Sequence, residues 1–185
     1  MKLLIDRVAS PIGDILVVAD GTNLVALEFA AVEGRMRRAL KARYGGFKLV
    51  PARDPLGACS RLRAYLAGDI EALENLPVDG GGTPFQRRVW SALRRIPAGT
   101  TMSYGALARR LRMPTATRAV GRANGQNPIS IVVPCHRVIG SDGTLTGYGG
   151  GLERKRWLLE HEGVRLARQA GARVAGGARK SRRAD

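Results

Sequence analysis

Cysteine and histidine are scarce in this chain of 185 residues, which contains two of each. Cys59 and Cys135 cannot build a disulfide framework, and together with His136 and His161 they are too few for a convincing zinc site. We therefore expect no metal and no cofactor. Unpaired cysteines suit a reducing compartment, and a composition rich in arginine and alanine suits a bacterium, so the expected location is the bacterial cytoplasm.

Long apolar runs are missing as well. No apolar stretch approaches the ~18 residues that a membrane-spanning helix needs. Near the N-terminus, Asp6 and Arg7 interrupt the chain before the apolar core of a secretory signal could form. These absences argue against a membrane protein and against a secreted protein.

Acidic residues are few relative to basic ones. The chain has 15 Asp and Glu against 31 Lys and Arg, a formal net charge of +16. Residues 1–79 carry 11 basic and 10 acidic side chains, residues 80–166 carry 14 and 4, and residues 167–185 carry 6 and 1. A basic second half favours a polyanionic partner, most simply nucleic acid. A codon bias toward arginine is the alternative, but it would act along the whole chain.

The N-terminal third has the pattern of strands followed by helices. Apolar segments at 3–8, 15–19 and 24–29 are separated by turn-forming residues, which predicts three strands, the last two forming a hairpin. Helical stretches follow at 35–43 and 56–67.

Small residues at 77–82 form the expected linker between two domains. We expect an α/β domain over 1–79 and a mainly helical domain over 80–166. The segment 167–185 consists largely of Ala, Gly and Arg without periodicity, which is typical of a disordered basic tail.

Two short helices in the second half resemble a helix-turn-helix. Ser103 can cap the first helix, at 104–111, and Thr115 can cap the second. The second helix has an apolar stripe at i, i+3, i+4 and i+7, with two arginines sharing roughly the opposite face. The stripe consists of Ala116, Ala119, Val120 and Ala123, and the arginines are Arg118 and Arg122.

Cys135 follows the apolar run 129–133, which indicates a buried strand. A free cysteine has a pKa near 8.5 and is mostly protonated at neutral pH, and cationic neighbours such as Arg137 would raise the thiolate fraction. The chemistry alone leaves Cys135 as either a nucleophile or a small buried hydrophobic residue. In an extended segment Cys135 and His136 would point to opposite sides, so contact between them needs a bend or a water. Cys59 is expected in the core.

Several short motifs of the second half occur together in one known family. The segment Pro134-Cys135-His136-Arg137-Val138 resembles the active-site signature of the O6-alkylguanine-DNA alkyltransferases, the methylated-DNA–protein-cysteine methyltransferases. It is accompanied, in family order and spacing, by Ser103-Tyr104-Gly105, Arg118-Ala119-Val120-Gly121, Asn127-Pro128, Gly147-Tyr148-Gly149-Gly150-Gly151 and His161-Glu162-Gly163. The resemblance is dense from Thr83 to Gly163. It is loose over 1–79, where it rests on Ser10-Pro11-Ile12-Gly13 and Tyr65-Leu66-Ala67-Gly68-Asp69, and it does not cover the tail.

The resemblance implies a suicide repair reaction in which Cys135 takes the alkyl group from O6 of guanine, and from O4 of thymine, in one displacement. The implied partner is double-stranded DNA carrying O6-alkylguanine, bound by a monomer, with no membrane and no cofactor involved. The implied fold is an α/β N-terminal domain, with a ribonuclease-H-like antiparallel sheet and helices, followed by a mainly helical, winged-helix-like domain that contains the helix-turn-helix.

The resemblance also implies roles for individual catalytic residues. Cys135 would be the nucleophile, and His136 would act as its base through a water. Glu162 would orient His136, and Tyr104 would donate a hydrogen bond to N3 of guanine so that the purine leaves as a neutral ring.

Five residues would form the substrate site by the same resemblance. Asn127 would brace the turn before the active-site segment, and the carbonyl of Val138 would read the exocyclic amine of guanine. The alkyl pocket would be lined by Tyr148, Gly149 and Gly150. Because Gly149 stands where some members carry Ser, a hydrogen bond to O6 at this position must come from a backbone N–H group.

The implied DNA contacts lie on the second helix of the helix-turn-helix, docked in the minor groove. Arg118 would enter the base stack where the target nucleotide is flipped out. Arg122, one turn further, would meet phosphate. The small residues Ala119, Gly121 and Ala123 would allow the helix to approach closely.

Three other functions fit parts of the sequence. A lesion-sensing DNA-binding protein without transfer would lack the nucleophile, and Cys135 counts against it. A helix-turn-helix regulator would leave Cys135 inert and would bind duplex DNA irrespective of alkylation. A cysteine hydrolase would turn over repeatedly and needs oxyanion donors that the sequence does not locate.

Overall fold

The computed structural model describes residues 1–166, and the predicted tail at 167–185 lies outside the described residues. The strands are β1 (Lys2–Val8), β2 (Ile15–Ala19), β3 (Leu24–Phe29), β4 (Lys48–Pro51), β5 (Met102–Ser103) and β6 (Val138–Ile139). The α-helices are α1 (Glu33–Tyr44), α2 (Ala58–Leu66), α3 (Pro84–Leu93), α4 (Tyr104–Arg110), α5 (Thr117–Gly125) and α6 (Leu152–His161). None of the helices within 1–166 is both long and apolar enough to cross a bilayer.

The N-terminal domain is built on a sheet with the strand order β3-β2-β1-β4. The predicted hairpin is confirmed, with Ile15 opposite Phe29, and β1 pairs antiparallel with β2. The sequence pattern does not indicate β4, which pairs in parallel with β1, so the sheet is mixed rather than wholly antiparallel. None of the residues of β4 is fully buried, because it is an edge strand, and this weakens the alternation by which strands are recognised.

The helix predicted over 56–67 is shorter in the structure, where Pro55–Gly57 form a 3-10 turn ahead of α2. The Asp54 carboxylate accepts hydrogen bonds from the first backbone N–H groups of α2 and so fixes where the helix begins. Cys59 is fully buried in the core, as predicted. Burial raises the pKa of its thiol to about 12, which makes it unreactive.

The outer edge of β3 is covered by segments from further along the chain. Leu24 exchanges backbone hydrogen bonds with residues of the predicted linker 77–82. Leu27 donates to the carbonyl of Pro128 and accepts from the N–H of Ser130. The sheet edge therefore positions the turn that leads toward Cys135.

The helix-turn-helix is present as α4 and α5, which pack against each other. Ser103 caps α4 by accepting a hydrogen bond from the N–H of Ala106, as predicted. Thr115 does not cap the second helix, because Pro114–Ala116 form a 3-10 turn and α5 begins one residue later without a side-chain cap.

The apolar stripe of α5 is narrower than the sequence predicts. Val120 and Ala123 are buried, whereas Ala119 is exposed and Ala116 is half-buried. Asn124 completes the buried face, since its side-chain amide contacts the carbonyl of Cys135 over 3.4 Å. A polar residue therefore occupies part of the face that the pattern assigned to alanine.

The segment 129–133 is not a strand. Only Ile129 makes a β-bridge, to β3, and the chain then turns sharply at Ile131, whose φ of +70° is unusual for a β-branched residue. The segment is apolar because it is buried, and a short apolar run does not distinguish a strand from a buried turn. It leads into a 3-10 turn, Cys135–Arg137.

Candidate active site

The Cys135 sulfur is held by the side chain of Asn127. Cys135 is 4 % exposed, and the Asn127 side-chain nitrogen donates to its sulfur over 3.2 Å. The same nitrogen donates to the carbonyl of Val133 over 2.8 Å, and the amide oxygen accepts from the N–H of Ile129 over 3.0 Å. The side chain of Asn127 thus links three backbone groups of the turn and also contacts the thiol directly.

Burial raises the pKa of the Cys135 thiol, although the hydrogen bond from Asn127 and the charges of Arg35 and Lys155 act in the opposite direction. Cations therefore favour the thiolate, as the sequence led us to expect, but desolvation outweighs their effect on the pKa. A thiol that is protonated at rest needs a base to remove its proton when it reacts.

His136 lies in the same 3-10 turn as Cys135. This turn supplies the bend that two adjacent residues need if both are to face one site. His136 is fully buried, and its Nε2 atom lies 2.9 Å from Oε1 of Glu162. Burial lowers the pKa of His136, so the ring is neutral at pH 7 and donates its one proton to the carboxylate. The Nδ1 atom is buried, has no hydrogen-bond partner among the described residues, and carries a free lone pair.

Glu162 receives two further donors that the sequence analysis did not assign. Arg137 binds it in a bidentate manner at 2.8 Å, and the Tyr65 hydroxyl donates to Oε1 at 2.8 Å. Burial alone would raise the pKa of Glu162, but the hydrogen bonds from His136 and Arg137 hold it well below its usual range. Arg137 and Tyr65 both lie in motifs on which the resemblance rests. Those motifs were the signal from which the two residues could have been assigned to the site.

Tyr104, at the start of α4, contacts the glycine-rich loop 140–151. Its hydroxyl lies 3.3 Å from the carbonyl of Thr146 and 3.4 Å from that of Gly147. Burial raises the pKa of Tyr104, so the hydroxyl is a proton donor at neutral pH.

Lys155 of α6 also holds the glycine-rich loop, although no periodicity in the sequence predicted a role for this residue. Its buried ammonium donates to the carbonyls of Val138 and Thr146, each over 2.6 Å. Burial lowers the pKa of Lys155 to about 8. The Val138 carbonyl predicted to read guanine thus already accepts a hydrogen bond from Lys155.

The loop that carries Tyr148, Gly149 and Gly150 packs against the N-terminal domain. The Tyr148 ring meets Phe29 edge to face at 6.4 Å. A Cβ atom at Gly150 would lie 2.7 Å from the Phe29 ring, and one at Gly149 would overlap the guanidinium of Arg35. Arg35 therefore occupies the space that a serine side chain would need.

The predicted DNA face of α5 is open to solvent. Arg118, Ala119 and Arg122 are all exposed, and neither arginine forms an ion pair within the described residues. A row of unpaired cations next to a small residue is suited to phosphate and a closely approaching backbone.

Gly121 and Ala123 lie on other sides of this helix. Gly121 faces the Tyr104 ring, where a Cβ atom would be 3.6 Å from the nearest ring carbon. Ala123 is 2 % exposed, and its carbonyl accepts from the indole N–H of Trp90. The methyl group of Ala123 packs in the core, so this placement does not fit the DNA contact expected for it.

No group of three or more His, Cys, Asp or Glu within residues 1–166 is arranged to hold a metal ion.

Two family models match the chain. The 6-O-methylguanine DNA methyltransferase ribonuclease-like domain matches residues 5–80, and the DNA binding domain of the same family matches residues 84–164. The chain is 51 % identical over 169 residues to the methylated-DNA–protein-cysteine methyltransferase of Salmonella typhimurium, covering 90 % of this chain and 99 % of that one. It is 47 % identical to the Mycobacterium bovis protein of the same name, covering 83 % and 88 %.

Solved structures agree with the sequence comparison. The crystal structure of Mycobacterium tuberculosis OGT in complex with DNA matches with a TM-score of 0.72 and 44 % identity, covering 88 % of this chain and 92 % of that chain. An O6-methylguanine-DNA methyltransferase from the archaeon Pyrococcus kodakaraensis matches with a TM-score of 0.67 and 27 % identity, covering 88 % and 99 %. The chain belongs to the 6-O-methylguanine DNA methyltransferase family.

Proposed function

We propose that this chain repairs alkylated DNA by moving the alkyl group from O6 of guanine to the sulfur of Cys135, once per molecule. The observation that carries the proposal is the arrangement around this sulfur. The thiol is buried and held by Asn127, and its neighbour in the same turn is a neutral histidine hydrogen-bonded to a carboxylate.

The transfer begins with loss of the thiol proton, which passes through a water to Nδ1 of His136. The sulfur then forms a bond to the alkyl carbon as the bond between that carbon and O6 breaks. The electron pair of the broken bond stays on O6 and spreads over the purine, whose negative charge the Tyr104 hydroxyl stabilises by donating a hydrogen bond to N3. The proton held by His136 then returns through water to the base, which leaves as neutral guanine. A thioether has no leaving group that water can displace, so Cys135 stays alkylated.

Glu162 makes His136 an effective base. The carboxylate accepts a hydrogen bond from the Nε2–H group and stabilises the imidazolium that forms when Nδ1 takes up the proton from Cys135. The resting pKa of His136 is lowered by burial, so the neutral form that can act as a base is present at pH 7.

The flipped guanine would be read by backbone groups and by the glycine-rich loop. The backbone carbonyls of Cys135 and Val138 would accept hydrogen bonds from the exocyclic amine. The ring of Tyr148 and the backbone of Gly149 and Gly150 would surround the alkyl group. A backbone N–H group of this loop would donate a hydrogen bond to O6 of guanine.

Double-stranded DNA is the partner, and we assign its contact to the exposed face of α5. Arg122 would bind phosphate, and Arg118 would fill the gap in the stack that flipping leaves, at an unstacking cost of a few kcal/mol. The side chain of Ala119 is small enough for the backbone of the helix to approach the groove.

We propose that the functional division of the chain follows the boundaries 1–79 and 80–166, with 167–185 adding nonspecific affinity for DNA through its charge. We also place the protein in the bacterial cytoplasm, since both cysteines are free thiols and a reducing compartment keeps the acceptor sulfur available.

Intact-protein mass spectrometry tests the function. The protein is incubated with duplex DNA containing O6-methylguanine, alongside Cys135→Ala and the matched control Cys59→Ala. The expected result is a gain of about 14 Da that saturates at one per molecule in the unmodified protein and in Cys59→Ala, and is absent in Cys135→Ala. No gain, combined with tight binding to the lesion, would instead support a lesion sensor.

A further inference from the structure

Tyr65 belongs to α2 in the N-terminal domain, yet its hydroxyl reaches the carboxylate behind the active-site histidine. The side chain is 1 % exposed, and the hydroxyl donates to Oε1 of Glu162 over 2.8 Å. Burial and the nearby charge of Glu162 raise the pKa of Tyr65, so the hydroxyl remains protonated and remains a donor.

Three donors converge on this one oxygen atom. Besides the hydroxyl of Tyr65, Oε1 of Glu162 receives Nε2 of His136 at 2.9 Å and a guanidinium nitrogen of Arg137 at 2.8 Å. Arg137 also holds the second oxygen, Oε2, at 2.8 Å. The donors come from two distant parts of the chain, α2 and the turn Cys135–Arg137, and the carboxylate has the orientation in which all of them are satisfied.

The backbone of Tyr65 is tied to α6, the helix that Glu162 directly follows. The carbonyl of Tyr65 lies 2.7 Å from Nε2 of His161, and its ring meets His161 edge to face at 5.1 Å. Trp157 stacks on His161 with ring centroids 4.6 Å apart. These contacts lock α2 to the end of α6, so the hydroxyl is fixed relative to the carboxylate it serves.

We propose that Tyr65 is a positioning residue for alkyl transfer, holding Glu162 in the orientation that keeps the proton of His136 on Nε2 and leaves Nδ1 free to accept the thiol proton. This inference rests on the proposed function. It makes the docking of the N-terminal domain part of the chemistry, because that domain supplies one of the three donors to Oε1.

Removing the hydroxyl has a predictable electrostatic consequence. The negative charge on Oε1 would be shared among fewer donors and would stabilise a charged imidazole more strongly. The other charged groups that act on His136 are Arg137 and Lys155, and both remain in place. The pKa of His136 therefore rises in Tyr65→Phe, and the acidic limb of the rate profile moves to higher pH.

The kinetic test compares Tyr65→Phe with Tyr44→Phe. Tyr44 is a matched control, because its hydroxyl is buried and finds no hydrogen-bond partner among residues 1–166. At saturating lesion DNA, single-turnover transfer by Tyr65→Phe should be about tenfold slower, the rate equivalent of one hydrogen bond, with the acidic limb shifted and the affinity for DNA unchanged. Tyr44→Phe should match the unmodified protein. An unshifted profile in Tyr65→Phe with an unchanged rate overturns the proposal.

A second readout does not depend on transfer. The chain has two histidines, so nitrogen-15 labelling of histidine gives two imidazole signal sets that can be titrated by NMR. The pKa of His136 should be higher in Tyr65→Phe than in the unmodified protein. Equal pKa values in the two proteins would overturn the role of Tyr65. This readout does not depend on the mass gain, so it tests the role of Tyr65 even if the proposed function is refuted. If Tyr65→Phe does not fold, 3-fluorotyrosine at position 65 keeps the shape with a more acidic hydroxyl. It should lower the pKa of His136, and no change there also refutes the proposal.

Discussion

Asn127 donates a hydrogen bond to the sulfur of Cys135 over 3.2 Å, from a side chain that also braces the backbone of the preceding turn. One residue thus couples the shape of the turn before Cys135 to the state of the Cys135 sulfur. The coupling matters because the sulfur is buried, and a buried thiolate depends on the few donors that can reach it.

Asn127→Asp should remove the donor to the sulfur together with the donor to the carbonyl of Val133. A carboxylate keeps the size of the side chain and the acceptor for Ile129, but it cannot donate to sulfur, and its charge opposes the thiolate. The pKa of Cys135 should rise further, and transfer should slow by about 100-fold, corresponding to ~3 kcal/mol. The rate of single-turnover transfer against pH measures this. A rate close to that of the unmodified protein would show that the hydrogen bond to sulfur has no part in the reaction.

Arg118→Ala should damage repair of duplex DNA far more than reaction with a free base. Flipping is needed only when the guanine starts in a stack, so transfer from O6-methylguanine in duplex should fall by about tenfold or more, while transfer from free O6-benzylguanine stays within about twofold. Rates with both substrates, measured on the same preparation, test this. Equal losses on both substrates would contradict a role in flipping.

Arg122→Ala is the matched control on the same exposed face. A phosphate contact contributes to affinity in a salt-dependent way, so this variant should weaken binding to all duplexes and lower the slope of log K against log salt by about 1. At saturating DNA its transfer rate should be unchanged. A slope equal to that of the unmodified protein would remove Arg122 from the DNA interface.

Gly150→Ala should destabilise the protein by about 2 kcal/mol, because the new methyl group would press on the Phe29 ring at 2.7 Å and on Tyr148 at 2.9 Å. Gly125→Ala is the control, since a Cβ atom there meets nothing within 4 Å in the last turn of α5. The control should be neutral or slightly more stable. Urea unfolding of both variants gives the comparison, and equal stabilities would mean that the loop can move away from Phe29.

Much of the fold follows from local sequence patterns. The hairpin of β2 and β3 has a turn between two apolar runs, and α4 has a serine cap, so both are encoded within a few residues. Strand β4 and the turn at 129–133 depend on distant parts of the chain. The first lies at a sheet edge, and the second owes its hydrogen bonds to the Asn127 side chain and to the edge of β3.

The residues of the candidate site also divide into those that a local motif predicts and those that depend on distant parts of the chain. The roles expected of Cys135 and His136 came from a contiguous motif, and the structure brings that motif to Glu162, which lies 26 residues from His136. Tyr65 is 97 residues from Glu162, and the two side chains meet because α2 packs against α6. No local pattern in the sequence predicts this contact. Lys155 is buried on a helix whose Arg154 and Arg156 are half-buried and whose Glu153 and Glu160 are exposed, so no pattern marks it as buried.

Glu162→Gln should make stability less sensitive to acid. The pKa of Glu162 is depressed in the folded protein, so its contribution is fully present above the unfolded value near 4.3 and is lost as pH falls toward the folded value. At pH 7 the variant should be less stable by about 3 kcal/mol, because Arg137 loses its charged partner in a largely buried site. Below about pH 4 the two stabilities should converge, as the unmodified carboxyl loses its advantage. Urea unfolding across this range tests the sign, and a constant difference at every pH would show that Glu162 does not titrate as its hydrogen bonds require.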